Sequence, residues 1–349
     1  MAVDLSKLVS KRRITLDDLR GRAVAIDAYN VLYQFLSNIR QQDGTPLMDS
    51  KGEVTSHISG LFYRSIEFIN HGITPIYVFD GIPSMLKQKT IGARMRRREE
   101  AKEAWAQALA QGDTERALTY AHASTRVDAR IAESARELLG YMGIACLNAP
   151  SEGEAQAAYM CARGLVYAAA SQDYDTLLLG SPIVVRNLGI TGRRKLPGKN
   201  IYVRVEPEIV RLGETLSELG IDRQRLIWAG ILLGTDFNEG VRGVGPKTAL
   251  KIVKSTSSLE EMIAYVGRRY GYSFELDVHE VESLFLKPEV RELSEAEISA
   301  LKGERADIGG LLAFMCDRHG FERQRISRYA EALASMRHGA SQKGIDAWV

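Results

Sequence analysis

The sequence predicts an α/β fold in which a mostly parallel central sheet is flanked by helices, with a helical arch and a helix-hairpin-helix subdomain attached. Short apolar runs typical of buried strands alternate with helical patterns in the first half of the chain. This alternation favours parallel strands with helices on both faces. From Glu206 onward the pattern is helical nearly to the end, so this half either packs against the sheet or forms a subdomain.

The elements can be assigned in chain order from these patterns. They are a strand, turn and helix over 23–36, a helix over 54–71, a strand that ends at residue 80, helices over about 87–142 that break once at 111–113, a strand over 143–147, a helix over 151–163, a strand before residue 173, and strands over 182–187 and 200–205. The stretch from 87 to about 130 is rich in Arg, Lys, Glu, Gln and Ala and poor in large apolar residues. Because such helices bury little core, we expect them to project as an arch or lid.

Acidic residues follow three of the predicted strands, open one helix and close another. The carboxyl ends of parallel strands meet at one edge of a sheet, so these side chains should lie together and repel one another. Carboxylate oxygens are ligands that Mg²⁺ and Mn²⁺ prefer, and a pair of such ions commonly catalyses the attack of water on a phosphodiester. We call these seven residues the acid cluster: Asp27, Asp80, Glu152, Glu154, Asp173, Asp175 and Asp236.

Taken singly, the acids also have plain structural interpretations. Asp27 could cap the next helix, and Asp80 with Gly81 could form a turn. The segment 151–154 has the spacing of a capping box, with Ser at the N-cap and Glu three residues later. Segment 294–297 has the same spacing without a strand before it. Spacing alone therefore leaves both interpretations of Glu152 and Glu154 open.

Basic residues begin seven positions after Asp80. Lys87 and Arg94 are two helical turns apart and share a face. Arg97 and Arg98 continue near it, and such residues can grip a phosphate. The alternative is a solvated helix whose charge is balanced by nearby glutamates. Tyr33 is either a base-stacking residue or a core tyrosine with a satisfied hydroxyl.

A glycine-rich segment lies between two helical patterns at 243–249. Gly243 and Gly245 permit a tight turn, and Pro246 suits the first turn of a helix whose N–H groups can bind phosphate. Lys247, Thr248 and Lys251 follow, the two lysines adding positive charge. The segment predicts a helix-hairpin-helix that holds duplex backbone without reading sequence. An ordinary helix–helix turn is the alternative.

Bulk properties exclude little. The net charge of +2 is too small to indicate a nucleic-acid partner, so binding to nucleic acid would require a local basic patch. The three cysteines are far apart and fit no zinc spacing, which favours a reducing compartment. The first residues lack the apolar run of a signal peptide, and no run approaches membrane-spanning length. We expect an intracellular, cytoplasmic protein with no membrane partner.

These strings together resemble the flap endonucleases, archaeal members of the structure-specific 5′ nuclease superfamily. The resemblance covers nearly the whole chain and is carried by its strand ends and hairpin. Its specific strings are Val-Ala-Ile-Asp27, Tyr33-Gln-Phe-Leu, Thr55-Ser-His-Ile-Ser-Gly, Tyr-Val-Phe-Asp80-Gly, Pro-Ser-Glu152-Gly-Glu154-Ala, Ser-Gln-Asp173-Tyr-Asp175, Leu-Gly-Thr-Asp236-Phe and Gly-Val-Gly-Pro-Lys-Thr-Ala249.

The resemblance implies a fold and domain organisation. We expect one nuclease domain of the PIN-like type over 1–335, with its core built from 1–100 and 140–260. The arch and cap would span about 87–130, and the helix-hairpin-helix about 225–256. A tail over 336–349 would follow the domain.

The resemblance also implies residue roles. The acid cluster matches the ligands of two Mg²⁺ ions, for which Mn²⁺ can substitute. Lys87 and Arg94 match the basic pair on the scissile phosphate, and Tyr33 matches a stacking tyrosine. Residues near Arg40, Leu47 and Thr55 correspond to a wedge and a pocket for a one-nucleotide 3′ flap. The hairpin corresponds to the element that holds downstream duplex, with a K⁺ ion.

The implied activity is cleavage of 5′ flaps, with 5′–3′ exonuclease action on nicked or gapped duplex, in Okazaki-fragment maturation and base-excision repair. We expect a monomer that acts on branched DNA. The last residues fit a pattern that docks on the sliding clamp PCNA, although Val349 replaces the usual second aromatic; the alternative is a frayed amphipathic tail. The motif residues are Gln342, Ile345, Trp348 and Val349.

Two features depart from the family pattern, and other functions remain open. Ala2 replaces the usual glycine, which leaves any role of the processed N-terminus open. Ile82 stands where many relatives have lysine. The competing functions are a sibling exonuclease or junction resolvase, and a non-catalytic clamp-bound DNA adaptor. A small RNA-cleaving domain of similar topology would lack the arch and hairpin.

Overall fold

A seven-stranded sheet forms the centre of the molecule. The computed structural model describes residues 3–189, 193–195 and 202–339. The strands are β1 (Arg12–Arg13), β2 (Ala23–Asp27), β3 (Thr74–Phe79), β4 (Cys146–Asn148), β5 (Ala168–Ala170), β6 (Ile183–Arg186), β7 (Arg193–Lys195), β8 (Tyr202–Arg204) and β9 (Glu208–Arg211).

The sheet order is β1-β9-β6-β5-β2-β3-β4, and β7 and β8 form a separate antiparallel pair. The four pairings from β6 through to β4 are parallel, whereas β9 pairs antiparallel with β6 and β1. The predicted α/β class with a mostly parallel sheet is confirmed.

Helices cover both faces of the sheet. They are α1 (Ala28–Asn38), α2 (Ser56–Asn70), α3 (Gln88–Ala110), α4 (Thr114–Ala123), α5 (Ala129–Tyr141), α6 (Gly153–Ala162), α7 (Asp175–Leu178), α8 (Leu212–Leu219), α9 (Arg223–Leu233), α10 (Pro246–Ser255), α11 (Leu259–Tyr270), α12 (Val278–Leu286), α13 (Glu295–Ala300), α14 (Ile308–Leu312) and α15 (Arg323–Gly339). Within the described ranges, no helix is long and apolar enough to cross a bilayer.

The central strands β2, β3 and β5 are almost entirely apolar because the sheet separates two buried clusters at this point. In β2, Val24 and Ile26 face the cluster formed with α1, α2, α5 and α15, whereas Ala25 faces the smaller cluster that includes α6. A strand covered on both faces lacks a polar side, which explains its continuous apolar run. A third cluster is formed by the helices from α7 through α12 together with the N-terminal segment, so these helices have a core of their own.

Three details of the predicted order are wrong. Residues 208–211 form a strand rather than helix, because four residues are too few to show a period. The short strands β1 and β7 were not predicted for the same reason. The helical stretch 87–142 breaks twice, at 111–113 and again at 124–128, where Asp128 caps α5 by accepting from the Ile131 N–H at 2.9 Å.

The helices α3 and α4 pack against each other through alanines. Ala101, Ala108, Ala117 and Ala121 are buried there, which fits a segment with few large apolar side chains. The pair also touches the loop between α1 and α2. The Trp105 indole donates to the Asp43 carbonyl at 3.3 Å, a long hydrogen bond.

We predict that Ser294→Ala lowers the free energy of unfolding by about 1 kcal/mol. Ser294 caps α13 in a complete capping box, in which its hydroxyl accepts from the Glu297 N–H and the Glu297 carboxylate accepts from the Ser294 N–H. Urea denaturation measures the change. Ser299→Ala, inside the same helix, is the control and should leave stability within a few tenths of a kcal/mol. Equal effects of the two variants would contradict the capping role.

Candidate active site

The first two acids of the cluster come from neighbouring parallel strands. Asp27 is the last residue of β2 and caps α1, its Oδ1 accepting from the Asn30 N–H at 3.1 Å. Asp80 follows β3, and its Oδ1 accepts from the Gly153 N–H at 2.7 Å. Because β2 and β3 run side by side, both carboxylates lie at the same edge of the sheet.

The N-terminus of α6 brings two glutamates to this edge. Glu152 is the N-cap residue and makes no side-chain cap, so the capping-box interpretation of 151–154 is wrong. Glu154 instead turns inward and accepts a hydrogen bond from the Ser171 hydroxyl. Gly153 permits the close approach, since a Cβ there would lie 2.9 Å from the Val78 carbonyl oxygen.

The last three acids follow β5 and α9. Asp173 lies in the loop after β5, where its N–H donates to Ser171 Oγ at 3.1 Å. Asp175 begins α7, is 7% exposed, and accepts from the Val3 N–H at 3.0 Å. Asp236 lies just beyond the end of α9. Strand ends and helix ends therefore deliver all seven acids.

The pKa values show that these acids act on one another. Burial raises the pKa of Asp27 well above its usual range, and Asp80 and Asp173 raise it further. Burial likewise raises the pKa of Glu154 strongly, with added repulsion from Asp173, Asp27 and Asp175. Burial, assisted by Asp236, raises the pKa of Asp175 to about 7. The cluster is a single electrostatic unit.

Lys87 is a cation within this unit. It ends a short 3₁₀ helix, Met85–Lys87, at the foot of α3. Its Nζ lies 2.8 Å from Glu152 Oε1 and 3.3 Å from Asp236 Oδ2. Burial opposes its charge, but Glu152 and Asp236 more than offset this and raise its pKa above the ordinary value.

The other predicted basic residues are less defined. Arg94 lies on α3, two turns beyond Lys87, but its side chain is outside the described part of the structure. Arg97 is exposed and Arg98 is half-buried further along the same helix. Tyr33 on α1 is 38% exposed, so the alternative of a buried core tyrosine is wrong.

The donor chemistry of the acid cluster fits divalent cations. All seven side chains offer oxygen, the ligand that Mg²⁺ and Mn²⁺ prefer. Asp27, Glu154 and Asp175 are acids whose pKa values are raised by burial and by neighbouring carboxylates of the cluster, and a cation among them would reverse that shift. The ligand roles stay a prediction.

Three residues elsewhere could also hold a metal ion, and the sequence patterns did not reveal them. One ligand atom from each of Asp49, Glu53 and His319 lies within 4.8 Å of the others. His319 Nδ1 is 3.0 Å from Asp49 Oδ2, while Asp49 Oδ1 accepts from the N–H groups of Lys51 and Glu53, each at 2.9 Å. These hydrogen bonds explain why the Asp49 and His319 side chains lie close together, with no metal ion required between them. No motif spans it, because its parts are 270 residues apart.

The predicted wedge residues lie in and beside the loop between α1 and α2. The Arg40 guanidinium makes three hydrogen bonds within the chain. It donates to the carbonyls of Leu36 at 2.7 Å and Gly44 at 2.6 Å and to the Thr125 hydroxyl at 2.8 Å. Thr55 is 5% exposed and donates its N–H to the Leu47 carbonyl at 2.7 Å. Both residues shape the loop in this structure, and their contacts to DNA stay predictions.

The glycine-rich segment connects α9 to α10. Gly243 has φ of +85°, a conformation that favours glycine, and Pro246 is the first residue of α10 after the N-cap Gly245. A broad surface cavity of about 460 Å³ lies along α10. It is lined by Lys247, Thr248, Leu250, Lys251 and Lys254. The residues predicted to dock on the clamp, Gln342, Ile345, Trp348 and Val349, lie outside the described residues.

Comparisons with known proteins point to one family. The XPG N-terminal domain matches residues 1–101 and the XPG I-region matches residues 143–236. These two ranges contain all seven acids. Flap endonuclease 1 of Thermococcus onnurineus is 48% identical over 100% of this chain and 99% of its own length. Flap endonuclease 1 of Pyrococcus furiosus is 46% identical over 100% of this chain and 99% of its own.

Solved structures agree with this assignment. Flap endonuclease-1 from Methanococcus jannaschii aligns with a TM-score of 0.74 and 36% identity, covering 97% of this chain and 100% of that one. The catalytic core of Rad2 in complex with DNA substrate has a TM-score of 0.68 at 23% identity, covering 95% and 100%. The second likeness concerns the fold.

We predict that the metal-free protein loses stability as pH rises from about 4 to about 7. The pKa of Asp175 is about 7 in the folded state, which lies above the unfolded value. Folding therefore favours the protonated acid, and its stabilising contribution is present at low pH and lost as pH rises through 7. Thermal melts in EDTA should show a wild-type melting temperature that falls with pH relative to Asp175→Asn.

Glu133→Gln, at an exposed position on α5, is the control for this series and should keep the wild-type pH slope. Mg²⁺ should remove much of the slope in the wild type. Identical slopes for wild type and Asp175→Asn would contradict the assignment.

Proposed function

We propose, for a chain that belongs to the flap endonuclease 1 family, that it cuts one phosphodiester at the base of a 5′ flap by two-metal hydrolysis. The observation that carries this proposal is the acid cluster, seven carboxylates gathered at one edge of the sheet, several of them buried and repelling one another, with Lys87 among them. The family is one of nucleases, and the ranges matched by its XPG N-terminal domain and XPG I-region contain all seven acids of this chain.

The acid cluster would hold two Mg²⁺ ions, or Mn²⁺ in their place. Such ions, about 4 Å apart, supply a nucleophilic water and neutralise charge on the phosphate oxygens. Asp27 and Asp80 would bind from the strand ends, Glu152 and Glu154 from the start of α6, and the remaining three acids from the segments after β5 and α9.

Residues of the chain would position the substrate. Lys87 lies at the foot of α3, where its ammonium can contact the scissile phosphate, with Arg94 two turns away on the same helix. The exposed ring of Tyr33 can stack on a base near the cut. The arch formed by α3 and α4 would admit a 5′ single strand but exclude duplex.

Duplex binding would fall to the α9–α10 hairpin. The start of α10 is suited to contact a phosphate backbone, because its first backbone N–H groups point outward along the helix and Lys247 and Lys251 add positive charge. A K⁺ ion can bind at the turn. Contacts of this kind fix position rather than sequence, so the protein would select DNA by its branched shape.

We further propose a monomer that works in the cytoplasm in replication and base-excision repair and docks on PCNA through its C-terminal motif. The protein would also act as a 5′–3′ exonuclease on nicked or gapped duplex. A sibling junction resolvase shares this fold but would prefer another substrate. Comparing a 5′ flap, a nicked duplex and a four-way junction, with products mapped at nucleotide resolution, decides between them.

We predict that Asp175→Ala lowers single-turnover flap cleavage by on the order of 10³-fold while flap binding stays largely intact. The loss follows from removal of one metal ligand, whereas the hairpin and duplex contacts remain. Cleavage is measured with Mg²⁺ and binding with Ca²⁺ in its place, with Glu133→Gln as the control. Cleavage at the wild-type rate would refute the two-metal assignment, and a wild type that cuts no flap with Mg²⁺ or Mn²⁺ would revive the non-catalytic adaptor.

We predict that removal of residues 342–349 abolishes stimulation by PCNA without changing the rate in its absence. The motif follows α15 in the sequence and includes no residue of the acid cluster or of the hairpin. Flap cleavage with and without the clamp measures the effect, and Trp348→Ala should reproduce most of it. Full stimulation of the truncated protein would show that the clamp binds elsewhere.

A further inference from the structure

We propose that Asn30 is a positioning residue that holds Asp27 and Asp173 at a fixed separation, and that Gln34 fixes the orientation of the Asn30 amide. This inference rests on the proposed function, because it concerns the same acid cluster. It assigns a role to two neutral side chains on α1 that contribute no charge to the site.

Asn30 reaches both acids through different groups. Its backbone N–H donates to Asp27 Oδ1 at 3.1 Å, and its side-chain Nδ2 donates to Asp173 Oδ2 at 3.4 Å, a long hydrogen bond. Asp27 ends β2 and Asp173 follows β5, which are adjacent parallel strands. One residue in the first turn of α1 thus spans the gap between two strand ends.

The polarity of this contact can be deduced from the carboxylate. An ionised carboxylate only accepts hydrogen bonds, so Asn30 must turn its NH₂ group toward Asp173. Its Oδ1 then points the other way, where Gln34 Nε2 donates to it. Gln34 lies one turn later on α1, so the two amides form a short chain with a single direction.

The far end of the chain is also constrained. Gln34 Oε1 is buried and has no hydrogen-bond partner among the described residues. It faces a small cavity of about 10 Å³, lined also by Asn30, Ser171 and Gln172, which is about the size of one water. A water there would donate to Oε1, and a flipped Gln34 amide would lose its contact with Asn30.

A neutral donor suits this place for an electrostatic reason. Asp27 and Asp173 repel each other, and this repulsion adds to the burial that raises the pKa of Asp27. A cationic side chain between them would hold them together but would compete with the metal ions for the same oxygens. An amide hydrogen bond orients the carboxylates and leaves their charge available. Contacts of this type change metal affinity or activity by about 10- to 100-fold.

The alternative is that Asn30 only supports the folding of α1. That role would change the melting temperature of the protein and nothing else. The positioning role instead changes the affinity for divalent ions in the absence of DNA. Asn38 provides a matched control because it is an exposed asparagine near the end of the same helix, where it donates to the Gln34 carbonyl at 2.8 Å.

The test compares Asn30→Leu, Gln34→Leu and Asn38→Leu in the full chain. Calorimetric titration with Mn²⁺, without DNA, gives the dissociation constant, and flap cleavage gives kcat, KM and the Mg²⁺ concentration for half-maximal rate. We expect Asn30→Leu to weaken Mn²⁺ binding about tenfold and to lower kcat while KM for flap DNA is unchanged. Gln34→Leu should shift both in the same direction by less, and Asn38→Leu should match wild type.

Equal Mn²⁺ affinity for Asn30→Leu and Asn38→Leu would overturn the inference. If Asn30→Leu does not fold, Gln34→Leu decides, because it leaves Asn30 in place and removes only the donor to its Oδ1. A wild type that binds Mn²⁺ but cuts no flap DNA would refute the proposed function without touching this inference, so the two failures are distinguishable.

Discussion

The repulsion among seven carboxylates at one edge of the sheet is the constraint on which the rest of the site depends. Burial raises the pKa values of Asp27, Glu154 and Asp175, since each loses water and gains negative neighbours. One ammonium, that of Lys87, cannot balance seven acids. Two divalent ions would bring four positive charges into the same space, and for that reason the cluster favours a two-metal centre over a single-ion site.

The acid cluster also lies between separate hydrophobic cores. Asp27 and Asp80 end strands whose side chains pack with α1, α2 and α6. Asp175 begins α7, which packs in the core formed by the helical second half. Repulsion between the acids would therefore tend to push these cores apart. Lys87 opposes this, because its ammonium bridges Glu152 on α6 and Asp236 after α9.

The sequence predicted the parts of this arrangement that follow from strand geometry. Asp27 and Asp80 could be placed together because adjacent parallel strands end at the same edge. The two Ser-x-x-Glu segments could not be distinguished, since both have the same spacing. In the structure Ser294 forms a capping box, whereas Glu154 turns inward to Ser171. Only the neighbouring strand β5, which supplies Ser171, decides between these outcomes.

Other features of the structure could not be predicted from the sequence, for physical reasons. Strand β9 has four residues, too few for a period to show. The Asp49–His319 contact joins residues 270 positions apart, and no local pattern encodes such a pair. Arg40 was predicted to contact DNA, yet its guanidinium bonds Leu36, Gly44 and Thr125. Its charge was visible in the sequence, but its partners depend on tertiary packing.

The Arg40 contacts connect the acid cluster to distant parts of the fold. Lys87 stands at the foot of α3, and Trp105, further along α3, donates to the Asp43 carbonyl in the loop that Arg40 braces. The same stretch continues to Asp49, which binds His319 before α15. A substrate that displaced this loop would thus act on α3, the helix that connects Trp105 to Lys87. Because Lys87 pairs with two members of the acid cluster, such a movement would change the charge balance within the cluster.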